Sequence, residues 1–123
     1  MNSSRATTPA RTRFTTATDS VFGEIFIRQF PFTSGTVSTP RPVLVLFDLQ
    51  QDVLVCRVTS APQRGPLDAA PADWADAGLA KPSVARLDRL VTAEKAILDR
   101  RLGILSKGDQ SAIRATWNQH MRL

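Results

Sequence analysis

The side chains that could do chemistry in this sequence are arginines, hydroxyls and carboxylates, because it contains one cysteine and one histidine. Cys56 and His120 cannot supply a zinc site built from Cys and His ligands. Cys56 lies in the apolar run 53–56, which is typical of a buried structural thiol, and His120 lies three residues from the end of the chain. The sequence therefore predicts no metal site and no cofactor.

Arg86 and Asp88 are the best-spaced pair of charged side chains. They belong to the run 83–90, where polar and apolar residues alternate as in a strand, so both should project from one face. A carboxylate beside a guanidinium stays ionised, which suits a base or an orienting group better than an acid. An exposed ion pair between strands explains the same pattern equally well.

The net charge of +5 and the pI of about 10.7 favour an anionic partner, since a positive field concentrates polyanions at the surface. Basic residues are spread along the chain rather than gathered in a membrane-binding run. No apolar stretch approaches the roughly 20 residues of a membrane span, and the first 20 residues lack the apolar segment of a signal peptide. We expect a cytoplasmic protein that does not interact with membranes.

At 123 residues the chain has room for one domain. Residues 1–20 contain few large apolar side chains and are expected to be a flexible extension, so the domain is expected to span 21–123. Alternating and β-branched residues predict strands over 21–30, 42–47 and 53–59, the last two joined as a hairpin. Further strands are predicted over 83–90 and 96–105.

Two helices are predicted, a short one over 72–77 that ends at Gly78 with Trp74 as its buried anchor, and a longer one at the C-terminus. The longer helix starts at the capping pattern Ser106-x-x-Asp109, and its apolar face carries Ala112, Ile113, Thr116, Trp117 and Met121. About five strands closed by a terminal helix predict a mainly β, partly open barrel. An α+β sandwich is the alternative that the pattern leaves open.

Four segments in order resemble the MazF/PemK toxins of type II toxin–antitoxin systems. They are GEIFIRQFPFT…RPVLVL from Gly23 onward, VLVCRVTSAP at 53–62, DWADAGLAKPSVARLDRL at 73–90, and RRLGILS at 100–106 followed by a helix. The resemblance covers about residues 21–121. It implies an SH3-like barrel of the PemK/CcdB type, a homodimer that cleaves single-stranded RNA without a metal, and a small antitoxin lying over the active groove.

The resemblance also implies roles for individual residues. Arg41 matches the arginine of the family's R-P motif, and its forked guanidinium can hold two phosphate oxygens. Thr59 matches a threonine that helps to orient the scissile phosphate, and the adjacent Ser60 is expected to contact RNA. Arg86 and Asp88 match an arginine-x-aspartate pair of the PemK branch. The catalytic set is thus expected to be Arg41, Thr59, Arg86 and Asp88.

The first loop differs from the PemK branch, which uses a histidine there, because positions 31–40 contain none. This difference shifts the expected chemistry toward Arg41. The RNA would supply the nucleophile through its own 2′-hydroxyl group, so neither a metal nor a serine nucleophile is required. Phe30 and Phe32, on either side of Pro31, are the aromatic side chains expected to contact RNA or the antitoxin.

Two other functions fit the same barrel. Gyrase-binding toxins of the CcdB type, which the chain would resemble in this case, carry W-G-I at the extreme C-terminus, whereas this chain ends His-Met-Arg-Leu. A catalytically inactive module that only binds an antitoxin would retain the fold and lose the chemistry. The expected function is therefore endoribonuclease cleavage, with these two as alternatives.

Overall fold

A computed structural model describes residues 21–31 and 38–123 of the chain. The extension predicted for residues 1–20 and the RNA contact predicted for Phe32 lie outside the described residues. Within the described residues no helix is long and apolar enough to cross a membrane.

In the described residues, six antiparallel strands form one sheet in the order β4-β5-β3-β2-β1-β6. The strands are β1 (Glu24–Pro31), β2 (Ser38–Leu49), β3 (Asp52–Thr59), β4 (Asp68–Ala69), β5 (Val84–Glu94) and β6 (Arg100–Ile104). A 3₁₀ turn at Lys95–Ile97 separates β5 from β6, and the α-helix α1 (Lys107–His120) ends the fold. The prediction of a mainly β fold with a C-terminal helix is confirmed.

The connection from β5 to β6 curls the sheet, because β6 is an edge strand and β5 lies near the opposite edge. Its two ends are tied to the strands that it passes: the Lys95 amide donates to the Gln51 carbonyl at 3.1 Å, and the Asp99 amide donates to the Ile27 carbonyl at 2.9 Å. A curled sheet bridged in this way is a partly open barrel.

Alternation along the strands divides the core between the two sides of the sheet. One side, here called the helix side, packs against α1 and includes Ile25, Leu44, Leu46, Cys56, Val58, Leu87, Leu105 and Ile113. The other, here called the barrel side, includes Phe26, Val43, Val45, Val53 and Val55, covered by Ala93 and Leu98 from the bridging region. Both sides of the central strands are therefore buried, which fixes their register.

The predicted hairpin is confirmed, since β2 and β3 pair up to Leu49 and Asp52, and Gln50 takes the positive φ of 80° at the turn. The short helix predicted over 72–77 is wrong. This segment consists of turns in which the Ala77 amide donates to the carbonyls of Asp73 at 3.3 Å and Trp74 at 3.2 Å. A helix so short does not offset the cost of its own nucleation.

The turn segment is held by the first turn of α1. The Ser106 hydroxyl caps the helix by accepting from the Asp109 amide at 3.2 Å, as the sequence predicts. The Asp109 carboxylate, however, reaches out of the helix and accepts from the amides of Ala72 at 2.9 Å and Asp73 at 2.8 Å. A buried carboxylate thus fastens residues 72–79 to the helix, with Trp74 half-buried against the helix-side core.

Candidate active site

A cavity of about 360 Å³ lies where the ends of β2 and β3 meet the 78–83 segment and β6. Three of the residues predicted from the sequence line it, namely Arg41, Thr59 and Ser60. Further polar lining comes from Lys81, Ser83 and Arg100, and the apolar lining from Ile27, Pro42, Val58, Leu79 and Leu102, with Gly78 and Ala80 completing it. The structure therefore brings together residues that lie up to 75 positions apart in the sequence.

Strand register places Arg41 and Thr59 at one point of the sheet. Val43 of β2 pairs with Arg57 of β3. Continuing this antiparallel register by two residues puts Arg41 opposite Thr59, with both side chains on the same side of the sheet. The R-P motif contributes locally, since Pro42 has no amide to donate and fixes the backbone at this point.

The Thr59 hydroxyl is oriented by the chain that follows it. Its oxygen accepts from the Ala61 amide at 3.2 Å, a local turn that fixes the side chain. A threonine hydroxyl can accept and donate at the same time, so its hydrogen is available to a group in the cavity. Ser60 is exposed at the same rim.

The charge of this cavity is positive. Among the described residues that line it, Arg41, Lys81 and Arg100 are cationic, and none is acidic. Guanidinium, ammonium and hydroxyl groups bind phosphate oxygens and are poor metal ligands. Nowhere in ranges 21–31 and 38–123 do three or more His, Cys, Asp or Glu side chains form a possible metal site.

Sequence reasoning missed Lys81 and Arg100 as site residues. Both reach the cavity because the turn segment packs closely on β6: a Cβ at Gly78, where φ is 91°, would overlap the Leu102 carbonyl. The glycine is visible in the sequence, but its contact with a strand 24 positions later is not. Only the tertiary structure identifies these two cations.

Arg86 is buried and forms an ion pair with Asp68. The alternative that the sequence left open, an exposed ion pair between strands, is therefore wrong for Arg86. Its Nη1 lies 2.6 Å from Asp68 Oδ2, and its Nη2 donates to the Pro62 carbonyl at 3.4 Å. The same Asp68 oxygen accepts from the Arg64 amide at 2.7 Å. Arg86 therefore ties the 60–68 segment, which follows Thr59, to β5.

Asp88 lies apart from Arg41. The register between β3 and β5 shifts, with Cys56 opposite Leu90 and Arg57 opposite Arg86, so residues 87–89 form a bulge. Asp88 is exposed there and lines a separate cavity of about 280 Å³ with Arg64 and Asp68. The bulge breaks the simple alternation on which the Arg86–Asp88 prediction rested. The catalytic role of Asp88 stays a prediction.

Two other sequence expectations concern side chains near this region. Cys56 is completely buried, and burial is the main cause that raises the pKa of its thiol, followed by the negative charge of Asp88. The thiol is therefore neutral and structural, as predicted. Phe30 lies in β1 with its backbone opposite Thr39. Its predicted contact with RNA stays a prediction.

The fold occurs in solved structures of bacterial toxins. An endoribonuclease in complex with its cognate antitoxin, from a mycobacterial species, superposes with a TM-score of 0.65 at 16% identity, covering 83% of this chain and 94% of that one. The Mycobacterium tuberculosis toxin MazF-mt6 gives 0.58 at 24% identity, covering 76% and 93%. A MazE–MazF structure from Deinococcus radiodurans gives 0.63 at 18% identity, covering 83% and 95%.

At these identities the structural likeness shows the fold. No curated protein sequence matches the chain. The model of one protein family, described as the PemK-like, MazF-like toxin of type II toxin–antitoxin systems, matches residues 22–121, nearly all of the part that the structure describes. The chain therefore belongs to the PemK-like, MazF-like toxin family.

Proposed function

We propose that this protein is an endoribonuclease that cleaves single-stranded RNA through attack of the RNA's own 2′-hydroxyl group. The observation that carries the proposal is the cavity in which Arg41, Lys81 and Arg100 meet the hydroxyls of Thr59 and Ser60. Three cations and three hydroxyl side chains, counting Ser83, without an acidic neighbour in the described lining suit a phosphodiester in its transition state.

The reaction is an in-line displacement at phosphorus. The 2′-oxygen forms a bond to phosphorus as the bond to the 5′-oxygen breaks; solvent water accepts the 2′-hydroxyl proton, and the leaving 5′-oxygen takes a proton from solvent water. The products are a 2′,3′-cyclic phosphate and a 5′-hydroxyl. Negative charge grows on the non-bridging oxygens, and preorganised cations such as Arg41 stabilise it more than they stabilise the ground state.

Each residue has a distinct part in this scheme. Arg41 binds two phosphate oxygens through its guanidinium fork, while Thr59, fixed by the Ala61 amide, donates its hydroxyl hydrogen to the same phosphate. Ser60 contacts the RNA at the exposed rim. Arg86 acts as a positioning residue, because it holds the segment that follows Thr59 and Ser60. The predicted role of Asp88, as a base or an orienting group, is tested by Asp88→Asn.

The comparisons support a proposal for partners as well. Solved structures of the same fold are described as an endoribonuclease with its cognate antitoxin and as a MazE–MazF complex. We expect this toxin to bind a cognate antitoxin, to form a homodimer measurable by light scattering, and to act in the cytoplasm, where its RNA substrate is found. The family match begins at Phe22, which supports a toxin domain over 21–123 preceded by a separate extension.

The test is cleavage in EDTA. The purified protein is incubated with a mixed-sequence single-stranded RNA and with DNA of the same sequence, and the product ends are mapped. We expect RNA cuts that leave 5′-hydroxyl ends, and no cuts in DNA. Arg41→Ala should lower the rate by at least 100-fold, in the range seen for loss of one transition-state donor, whereas the matched change Arg122→Ala, at an exposed arginine, should not.

RNA that stays intact at high protein concentration would contradict the proposal and favour the inactive antitoxin-binding module. Trapping of gyrase on DNA together with intact RNA would favour the gyrase-binding toxin. A requirement for a divalent cation, shown by recovery only after metal is added back, would contradict the assignment of charge stabilisation to Arg41.

A further inference from the structure

Four neighbouring strands each place an arginine on the barrel side of the sheet. Arg28 pairs with Arg41 between β1 and β2, and Arg57 pairs with Arg86 between β3 and β5. Residues directly opposite each other in an antiparallel pair project from the same side. The four guanidinium groups are here called the arginine row.

The row adjoins the barrel-side core. Arg28 follows Phe26 by two residues, and Arg57 follows Val55 by two residues, so each arginine continues the side on which a fully buried apolar residue lies. Val43 pairs with Arg57, which makes Arg41 and Arg57 diagonal neighbours about 7–8 Å apart along the backbone. Arg41, which lines the candidate active site, therefore lies inside the row, between Arg28 and Arg57.

Arg57 is the most crowded member by charge. Burial, and then the charges of four neighbouring guanidinium groups, those of Arg41, Arg86, Arg89 and Arg64, lower the pKa of Arg57. Like charges placed directly opposite each other destabilise a sheet. Asp68 offsets this repulsion at Arg86. The positive charges of the row attract a polyanion.

We propose that Arg57 binds a backbone phosphate of single-stranded RNA next to the scissile phosphate held at Arg41, with Arg28 extending the same track. The inference rests on the proposed ribonuclease function. The planar forks of arginines match phosphate oxygens and carboxylates alike, and RNA fits better than an acidic protein segment because the row is continuous with the site of Arg41.

The experiment measures binding of an oligoribonucleotide that is 2′-O-methylated at every position and so cannot be cleaved. Phosphate contacts do not depend on sequence, and each one contributes about 0.7 to the slope of log K against log salt for a single strand. We expect Arg57→Gln to reduce that slope by about 0.7. Arg57→Lys should retain it, and the matched change Arg122→Gln should leave it unaltered.

A second measurement uses the wild-type protein alone, so it can be made even if the Arg57→Gln variant does not fold. Phenylglyoxal labels arginines, and mass spectrometry reports each site. We expect the 2′-O-methyl RNA to protect Arg57 from labelling, whereas Arg122 reacts equally with and without RNA. Equal labelling of Arg57 in both samples would overturn the inference, as would an unchanged slope in a folded Arg57→Gln variant.

The two proposals fail in different ways. Suppose that the wild-type protein cleaves RNA while Arg57→Gln keeps the full salt slope. This result would refute the proposed phosphate contact of Arg57 and would still support the ribonuclease function. Protein that binds the methylated RNA through Arg57 but never cleaves unmodified RNA would refute the ribonuclease function and would still support the phosphate contact of Arg57. Displacement of that RNA by poly-glutamate as effectively as by unlabelled RNA would reassign the row to an acidic protein segment.

Discussion

Replacing Asp109 by alanine should loosen the 72–79 turn segment from the helix and destabilise the whole domain. The carboxylate is 7% exposed, and its two oxygens accept from two backbone amides of that segment, Ala72 and Asp73, at 2.9 and 2.8 Å. The same segment runs on to Gly78 and Lys81, which line the candidate active site. A single substitution should therefore affect both stability and function.

The magnitude follows from the two bonds. A hydrogen bond to a charged group contributes about 1.5–3 kcal/mol, and the lower value applies here since Ala72 and Asp73 are exposed and water can replace the carboxylate. Two such bonds give a loss of about 3 kcal/mol in the free energy of unfolding for Asp109→Ala. For a domain of this size that loss lowers Tm by roughly 12 °C.

Urea unfolding followed by circular dichroism measures the loss directly. Asp109→Asn retains one oxygen acceptor and should lose about half as much, about 1.5 kcal/mol. The matched control is Asp76→Ala, an exposed carboxylate in the same turn segment, which should stay within about 0.5 kcal/mol of the wild type. A loss below about 1 kcal/mol for Asp109→Ala would refute the claim that this carboxylate holds the segment.

Three other predictions concern the core and the site. Gly78→Ala should destabilise the domain by about 2–4 kcal/mol, seen as a lower urea midpoint, because its Cβ would overlap the Leu102 carbonyl at a positive φ; a midpoint like that of the wild type would contradict that close approach. Arg86→Met should cost about 3–5 kcal/mol because it leaves Asp68 buried without its guanidinium, while Arg86→Met combined with Asp68→Leu should recover most of the loss. Cys56 should resist thiol reagents in the native state. Since burial raises its pKa, the unfolded chain loses the thiol proton first as pH rises above 9.0, so stability should fall there by up to about 1.4 kcal/mol per pH unit more than in Cys56→Ala.

Much of the candidate site could be predicted from sequence where the signal is local. The resemblance to the family's motifs predicts Arg41 at R-P and Thr59 at the end of the next apolar run, with Ser60 beside it. The turn pairs Leu49 with Asp52, and continuing that register would put Arg41 opposite Ser60. A bulge between Val45 and Phe47 shifts the pairing by one residue and so brings Arg41 opposite Thr59. The hairpin could be predicted from the sequence, whereas the bulge is seen only in the structure.

The surroundings of Arg86 and Asp88 could not be predicted from the local sequence pattern. Alternation puts both side chains on one side only while the strand stays regular, and the 87–89 bulge ends that regularity. Asp68, the partner of Arg86, lies in a two-residue strand that no hydrophobic period reveals. Its pairing depends on a loop folding back over 18 residues, which sequence spacing does not encode.

The sequence by itself determined the five longer strands, the hairpin and the capped C-terminal helix, since each depends on neighbours close in the chain, and its resemblance to the family predicted Arg41, Thr59 and Ser60 as site residues. Only the tertiary structure decided that Asp109 fastens a distant turn instead of its own helix end, and that Lys81 and Arg100 complete the cavity. It likewise placed four arginines in one row. These arrangements depend on how the sheet curls and which elements pack across it, and burial on both sides of the sheet fixes them together.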